Sequence, residues 1–265
     1  MEFQDQMGHT ITLREYPQRI ISLVPSLTEL LFDLGLEEKI VGVTRYCILP
    51  EEKVALKIKV GGPKEFQFQV IDDLKPDLII GNKEENYREG IRRLQDKYPV
   101  WMSDIVTIDN ALKMIGSMGR LVNRDQHADQ LVDEIQTGFR ELTFTPQLKV
   151  AYLIWKNPCM AAGGNTFIHE MLHLCGFINL FEKKSRYPRI TPEELEGAAV
   201  ILLSSEPYPF TPEDVKSFRK RYPKKVICHV DGPMFSWYGS RMKYAPAYFR
   251  RLREALEKDH TVILT

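Results

Sequence analysis

The sequence has no C-x-x-C pair. Its four cysteines, Cys47, Cys159, Cys175 and Cys228, stand far apart, which argues against paired-thiol redox chemistry and ribbon-type zinc sites and leaves free buried thiols as the expectation. There is no excess of either charge, with 36 basic and 36 acidic residues, so nothing draws the chain toward nucleic acid or an anionic bilayer. No apolar run is long enough to span a membrane. The first ten residues, MEFQDQMGHT, carry neither a basic nor an apolar leader region, and as written the protein is expected in the cytoplasm.

What is present is ordinary for a globular protein: 265 residues, 43% apolar and 27% charged, enough for one large or two modest domains with proper cores. Against that background one motif stands out. FIHEMLHLCGF (167–177) contains His169-Glu170-Met171-Leu172-His173, the H-E-x-x-H pattern that holds zinc on a helix beside a base. Ile168, Met171, Leu172 and Cys175 form the buried stripe of that helix, and His169 and His173 lie one turn apart on its flank. The third ligand of a catalytic zinc has no clear counterpart downstream. Thr191-Pro192-Glu193-Glu194 reads instead as a capped helix start, with Thr191 as cap and Glu194 closing the box. A zinc metallopeptidase is therefore the minor reading, and no catalytic residues are assigned.

The chain repeats itself coarsely. RIISLV (19–24) reads as a buried strand and PSLTELLFDLGL as the helix after it, opening on a Ser26–Glu29 capping box and ending at Gly35. KVAYLIW (149–155) and TFIHEMLHLCGF repeat that order and end at Gly176. LKPDLIIG (74–81) and ELEGAAVILLS (194–204) match in the same way. Each is followed by a polar helix ending in Tyr-Pro and by a strand ending in aspartate, Asp104 or Asp231. Two halves offset by roughly 125 residues predict two α/β lobes with mainly parallel sheets. Between them, Ala128, Leu131, Val132, Ile135, Phe139 and Leu142 share one face of a helix of about 20 residues, a rigid connector about 30 Å long. The expected organisation is a first lobe over 1–122, a linking helix over 123–145 and a second lobe over 146–265.

In such sheets ligands collect beyond the carboxyl ends of the strands. The loops there are 25–28, 44–49, 156–165 and 231–244. The last, DGPMFSWYGSRMKY, combines Phe235, Trp237, Tyr238 and Tyr244 with Arg241 and Lys243, a set suited to a broad flat ligand with polar edges, core packing being the other use for some of these rings.

RIISLVPSLTE (19–29), VGVT (41–44) and KPDLI (75–79), with GGNTFIHEMLHLCGFINLF after the bridging helix, resemble the helical-backbone (class III) substrate-binding proteins of ABC transporters, which carry cobalamin, ferric siderophores or haem. The resemblance runs from about Arg19 to Leu256 and is strongest to the cobalamin-binding members. It implies two Rossmann-like lobes joined by one long α-helix, a ligand held in the cleft between them, no catalytic cofactor, and a monomer working with an ABC permease in the periplasm or at the cell surface, if a leader was removed. By the same resemblance the ligand-binding residues are Tyr46, Met160, Tyr187, Asp231 and Arg241, to which the long loop's own composition adds Phe235, Trp237 and Tyr238. Pro63 stands where those relatives have tryptophan, and Phe66 or Phe68 would answer the change. Family members dock through one glutamate on each lobe. Glu193 fits on the second; on the first the match is Gln69, with Glu65 one helical turn earlier. A carrier or sensor that kept the fold without a permease is the alternative this leaves open.

Overall fold

The computed structural model describes residues 1–145 and 147–258. Pro146, expected to close the linking segment, and the last seven residues of the expected second lobe lie outside the described residues. The chain divides into two compact units. The first comprises Met1–Ile105, Asp109–Glu134 and Tyr238–Arg241; the second comprises Val106–Ile108, Ile135–Trp237 and the chain from Met242 on.

The first unit opens with an antiparallel hairpin, β1 (Glu2–Gln4) and β2 (Thr10–Thr12). Then come β3 (Ile20–Ser22), α1 (Pro25–Asp33), β4 (Ile40–Val43), α2 (Glu51–Ala55), β5 (Ile58–Lys59) and a second small hairpin, β6 (Gly61–Gly62) with β7 (Glu65–Phe66). Next are α3 (Phe68–Leu74), β8 (Leu78–Asn82), α4 (Arg88–Gln95) and β9 (Val100–Ser103). The main sheet is parallel throughout, in the order β5-β4-β3-β8-β9. Every residue of β3, β8 and β9 is buried, as expected of parallel strands covered on both faces. The Gln6 amide donates to the Met102 carbonyl at 3.1 Å, so the first hairpin's turn covers the β9 edge and occupies a backbone acceptor that would otherwise be open.

Helix α5 (Ile108–Leu121) follows, and Asn123, at φ 57°, turns the chain into α6 (Asp125–Arg140). The connector helix thus has 16 residues; a left-handed residue before it and a tightened Leu142-to-Phe139 turn after it trim both ends of the expected span. Its residues to Glu134 belong to the first unit and those from Ile135 to the second.

The second unit holds β10 (Leu148–Trp155), β11 (Met160–Ala161), α7 (Phe167–Leu174), β12 (Phe177–Asn179), β13 (Val200–Ser204), α8 (Pro212–Arg221), β14 (Val226–Val230), the short α9 (Pro233–Ser236) and α10 (Ala245–Lys258). Its sheet runs β11-β10-β13-β14 with β12 also on β10, and all but β11 are parallel. The matched landmarks fall on matched elements: β3 and β10 each lead into a helix that ends before a left-handed glycine, Gly35 at φ 73° and Gly176 at φ 74°. Only glycine takes that conformation without strain.

Two expected helix starts differ. α1 begins at Pro25 after Val24, and no side chain caps it: proline takes the first position, where its missing N–H is harmless, and Ser26 falls inside the helix. The segment 194–197 is a 3-10 turn. Half of its capping box forms, the Glu194 carboxylate accepting the Thr191 amide at 2.9 Å.

All four cysteines are free, with Cys47, Cys175 and Cys228 buried and Cys159 half-buried. Burial raises the thiol pKa of each, that of Cys228 to about 12, which keeps them as protonated thiols.

Candidate functional site

In the first unit the residues beyond β3, β4 and β8 are organised by side-chain hydrogen bonds. Asn82, the last residue of β8, accepts the amides of Glu84 (2.8 Å) and Glu85 (3.2 Å) on its Oδ1 and donates to Ser103, while Asn86 Oδ1 accepts the Asn82 amide. Thr28, in α1, donates from Oγ1 to Ser22 and approaches Cys47 Sγ at 3.1 Å, and Thr44 meets the same sulfur at 3.2 Å. That buried knot pins the loop 44–49 and leaves Tyr46 57% exposed, with the Arg45 guanidinium 5.7 Å from its ring centre.

The segment 238–241 belongs to this unit. Arg241 donates from Nε (2.9 Å) and Nη2 (2.5 Å) to the two oxygens of Glu29, and the Tyr238 hydroxyl donates to Glu85 at 2.5 Å. A β-carbon at Gly239 would stand 2.6 Å from the Ser26 carbonyl, so this approach of two backbones requires glycine. Burial, reinforced by Glu85, pushes the Tyr238 phenol well above its ordinary range and keeps it a donor.

The second unit brings Met160 and Tyr187 into one strip. Met160 pairs antiparallel with Arg189, Ala161 donates to Pro188 at 3.1 Å and Gly163 to Arg186 at 2.8 Å, and both Met160 and Tyr187 are half-buried. Asp231 follows β14 directly, also half-buried, and its amide donates to the Tyr248 hydroxyl at 2.9 Å. Glu206, two residues past β13, accepts from the Trp237 indole at 2.9 Å and from the Ser236 hydroxyl at 2.5 Å.

The rings of the long loop take the core-packing use left open for some of them. Phe235 has no exposed surface and packs on Tyr152, Phe249 and Tyr248 at 5.0–6.2 Å; it is a core ring. Trp237 and Tyr238 are 6% and 7% exposed, with their polar tips on glutamates, and the Arg241 guanidinium faces Glu29. The expected ligand residues that present surface are Tyr46, Met160, Tyr187, Asp231 and, beside its ion pair, Arg241. Sequence reasoning missed the carboxylates Glu29, Glu85 and Glu206, although Glu85 and Glu206 follow the matched strands β8 and β13. It also missed Trp155, the last residue of β10, which is 40% exposed and set edge-on to Tyr208 at 5.6 Å. Phe66 is buried against Tyr87 at 4.8 Å, and the Arg93 guanidinium lies 3.8 Å from the Phe68 ring centre.

Of the expected docking residues, Glu193 is exposed, and its own backbone amide and the Thr191 hydroxyl hold its carboxyl below the usual range. Glu65 lies in β7, a strand rather than a helical turn before Gln69, and meets Arg45 at 3.3 Å. Gln69 is in α3, bonded to Asp73 at 2.9 Å.

The H-E-x-x-H lies on α7, capped by Thr166, whose hydroxyl accepts the His169 amide at 3.1 Å. Ile168, Met171, Leu172 and Cys175 are buried as the pattern demands. His169 Nδ1 is 3.3 Å from the Asn179 amide nitrogen, and His173 is exposed. Among the described residues no three His, Cys, Asp or Glu side chains stand close enough to hold a metal.

Two parallel-sheet α/β units, each with aromatic rings and carboxylates on the loops after its strands, define a two-unit α/β binding protein. A family model described as Periplasmic binding protein matches residues 20–227, and the chain belongs to that family, one of binding proteins rather than enzymes. It is 25% identical over 203 residues to the uncharacterized ABC transporter substrate-binding lipoprotein YvrC of Bacillus subtilis, covering 72% of this chain and 64% of that one. It is 26% identical over 184 residues to the vitamin B12-binding protein of Vibrio campbellii, covering 67% of this chain and 66% of that one. The chain therefore spans just under two thirds of the length of these relatives. The crystal structure of the periplasmic vitamin B12 binding protein of Vibrio cholerae shares the fold, with a TM-score of 0.74 at 21% identity over 92% of this chain and 99% of that one. The zinc-hydrolase reading falls with this membership, and H-E-x-x-H is the pattern of an ordinary helix in the second unit.

Proposed function

We propose that the chain is the solute-binding component of an ABC-type uptake system and that its solute is a corrinoid. The relatives' descriptions support the class. The observation that carries the choice of solute is the pairing of Arg241 with Glu29. The loop's arginine is neutralised from within the protein, and Glu85, Glu206 and Asp231 add carboxylates on the loops after the strands. In each unit taken by itself, with Glu85 in the first and Glu206 and Asp231 in the second, such loops favour a macrocycle edged with neutral amides, which carboxylates and phenols can hydrogen-bond, and disfavour one edged with acids, which would meet like charge. Tyr46, Met160 and Tyr187 supply flat and adaptable apolar contact. Haem, with two propionates, and ferric siderophores rank below a corrinoid on this ground. The protein acts as a monomer on the outer side of the membrane and meets its permease through Glu193 and Glu65; among the described residues no helix is long and apolar enough to cross a membrane. Gln69, a neutral residue bonded to Asp73, favours the second reading, a carrier or sensor without a permease.

Calorimetric titration with cyanocobalamin, with haemin in parallel, tests this. One equivalent bound at micromolar affinity or tighter, about 8 kcal/mol, with haemin at least about tenfold weaker, is the expected result. Tight haemin without cyanocobalamin would overturn the solute assignment, and binding of neither would overturn the chelate class.

A further inference from the structure

The first unit contains a cavity of about 440 Å³ lined by residues of the first hairpin, β9, α4 and the loop after β8, Asn86 among them. Its apolar lining includes Ile91 and Met102, 6% and 5% exposed. Four basic side chains line it: His9 from the first hairpin, Lys83 after β8, and Arg88 and Arg92 from α4. Two of these are already matched, His9 standing 3.5 Å from Asp5 and Lys83 2.6 Å from Asp104. The side chains of Arg88 and Arg92 are exposed and make no hydrogen bond or ion pair among the described residues, whereas Arg93 on the same helix lies over Phe68.

Glu89 in the first turn of α4 and Arg92 and Arg93 in the last suit the helix dipole, and Arg88 runs against it. Arg88 is the first residue of α4, at the positive end of the helix dipole, where acids are favoured. Arg92 stands four residues on, on the same face, and like charges at that spacing destabilise a helix. Tyr87, the residue before the helix, supplies no side-chain cap to the first amides. Two exposed guanidiniums without an ion-pair partner therefore stand at one wall of a cavity large enough for a small organic molecule.

We infer that this cavity is a second ligand site, specific for an amphipathic organic anion whose carboxylate or phosphate head is held by Arg88 and Arg92 and whose apolar body lies against Ile91 and Met102. The head group takes the planar donors of the two arginines and relieves both the repulsion between them and the mismatch of Arg88 with the dipole. The bare charge is not sufficient, because an inorganic ion leaves the apolar lining uncovered. This site is independent of the corrinoid proposal and stands whether or not that proposal holds.

Fluorescence titration of the full chain with 1-anilinonaphthalene-8-sulfonate, an amphipathic aromatic anion, tests it. Saturable binding of one equivalent is expected, with affinity lowered at least about tenfold in Arg88→Glu/Arg92→Glu and largely kept in Arg88→Lys/Arg92→Lys. Octanoate and octyl phosphate should displace the probe, and inorganic phosphate at the same concentration should not. Saturating cyanocobalamin should leave the titration unchanged, and unaltered thermal melting of both double variants would show that they are folded. Equal affinity in the folded Glu variant, displacement by inorganic phosphate or loss of the probe to cyanocobalamin would each overturn the inference.

Discussion

Arg241 and Glu29 lie 212 residues apart in the chain and form a two-point ion pair inside the first unit, with side chains 17% and 11% exposed. Glu29→Gln removes the charge that balances a largely buried guanidinium. The expected loss is about 2–3 kcal/mol, below that of a fully buried pair because water reaches part of it. Glu29→Gln/Arg241→Met should recover much of that loss. Urea denaturation of the three proteins measures this, and a loss under about 0.5 kcal/mol for Glu29→Gln would show that the pair is slack.

Phe235 and Tyr187 separate core from surface. Phe235→Ala opens a void among Tyr152, Tyr248 and Phe249 and should destabilise the second unit by about 3–5 kcal/mol, with the cyanocobalamin affinity of the folded fraction little changed. Tyr187→Ala and Tyr46→Ala should do the reverse, each lowering affinity about fivefold or more with little effect on the melting temperature. Calorimetry and thermal melts on the same samples decide the matter; an affinity loss confined to Phe235→Ala would contradict the assignment.

Asp214 predicts an acid-labile helix start. Burial alone would raise its carboxyl pKa, but Lys156 at 2.5 Å and the Thr211 amide at 2.9 Å hold it below the ordinary range. A carboxyl depressed by folding stabilises the native state above its unfolded value near pH 4, and that contribution is lost as pH falls through the lower folded value. Stability of Asp214→Asn should therefore fall less steeply than that of the parent below pH 4, while Thr211→Ala should cost about 1 kcal/mol at neutral pH from the lost cap. Parallel acid limbs would remove Asp214 from the explanation.

His169 and His173 should be silent. His169→Ala/His173→Ala is expected to bind cyanocobalamin within about twofold of the parent, and the parent should take up no stoichiometric zinc, because a protein zinc site draws on three or four ligands. Tight zinc binding lost in the double variant would reopen the motif.

The sequence announced most of the two sheets because parallel strands buried on both faces are short apolar runs bounded by turn residues: Ile20–Ser22, Leu78–Asn82, Leu148–Trp155 and Val200–Ser204 all lie in such runs. The hairpins at Glu2–Thr12 and Gly61–Phe66 were not legible, since strands of two or three residues carry no period. The Ser26–Glu29 capping pattern misled because Pro25 claimed the helix start and Glu29 found a partner far away in sequence. Local rules lose to a distant charge of better geometry. The site was legible in its loops and less so in its faces: aromatic residues in 231–244 announce ring area, but which rings turn inward depends on Tyr152, Glu85 and Glu206, none of which is near them in the chain.

The four solitary thiols make the protein its own stopwatch. Cys47 is in the first unit and Cys175 and Cys228 in the second, all buried and protonated, so a maleimide pulse marks each when its surroundings open. Cys159, half-exposed, should label first and serve as the zero of time. Label appearing at Cys47 and Cys228 at different rates would time the opening of the two units separately, with no tag added to the chain.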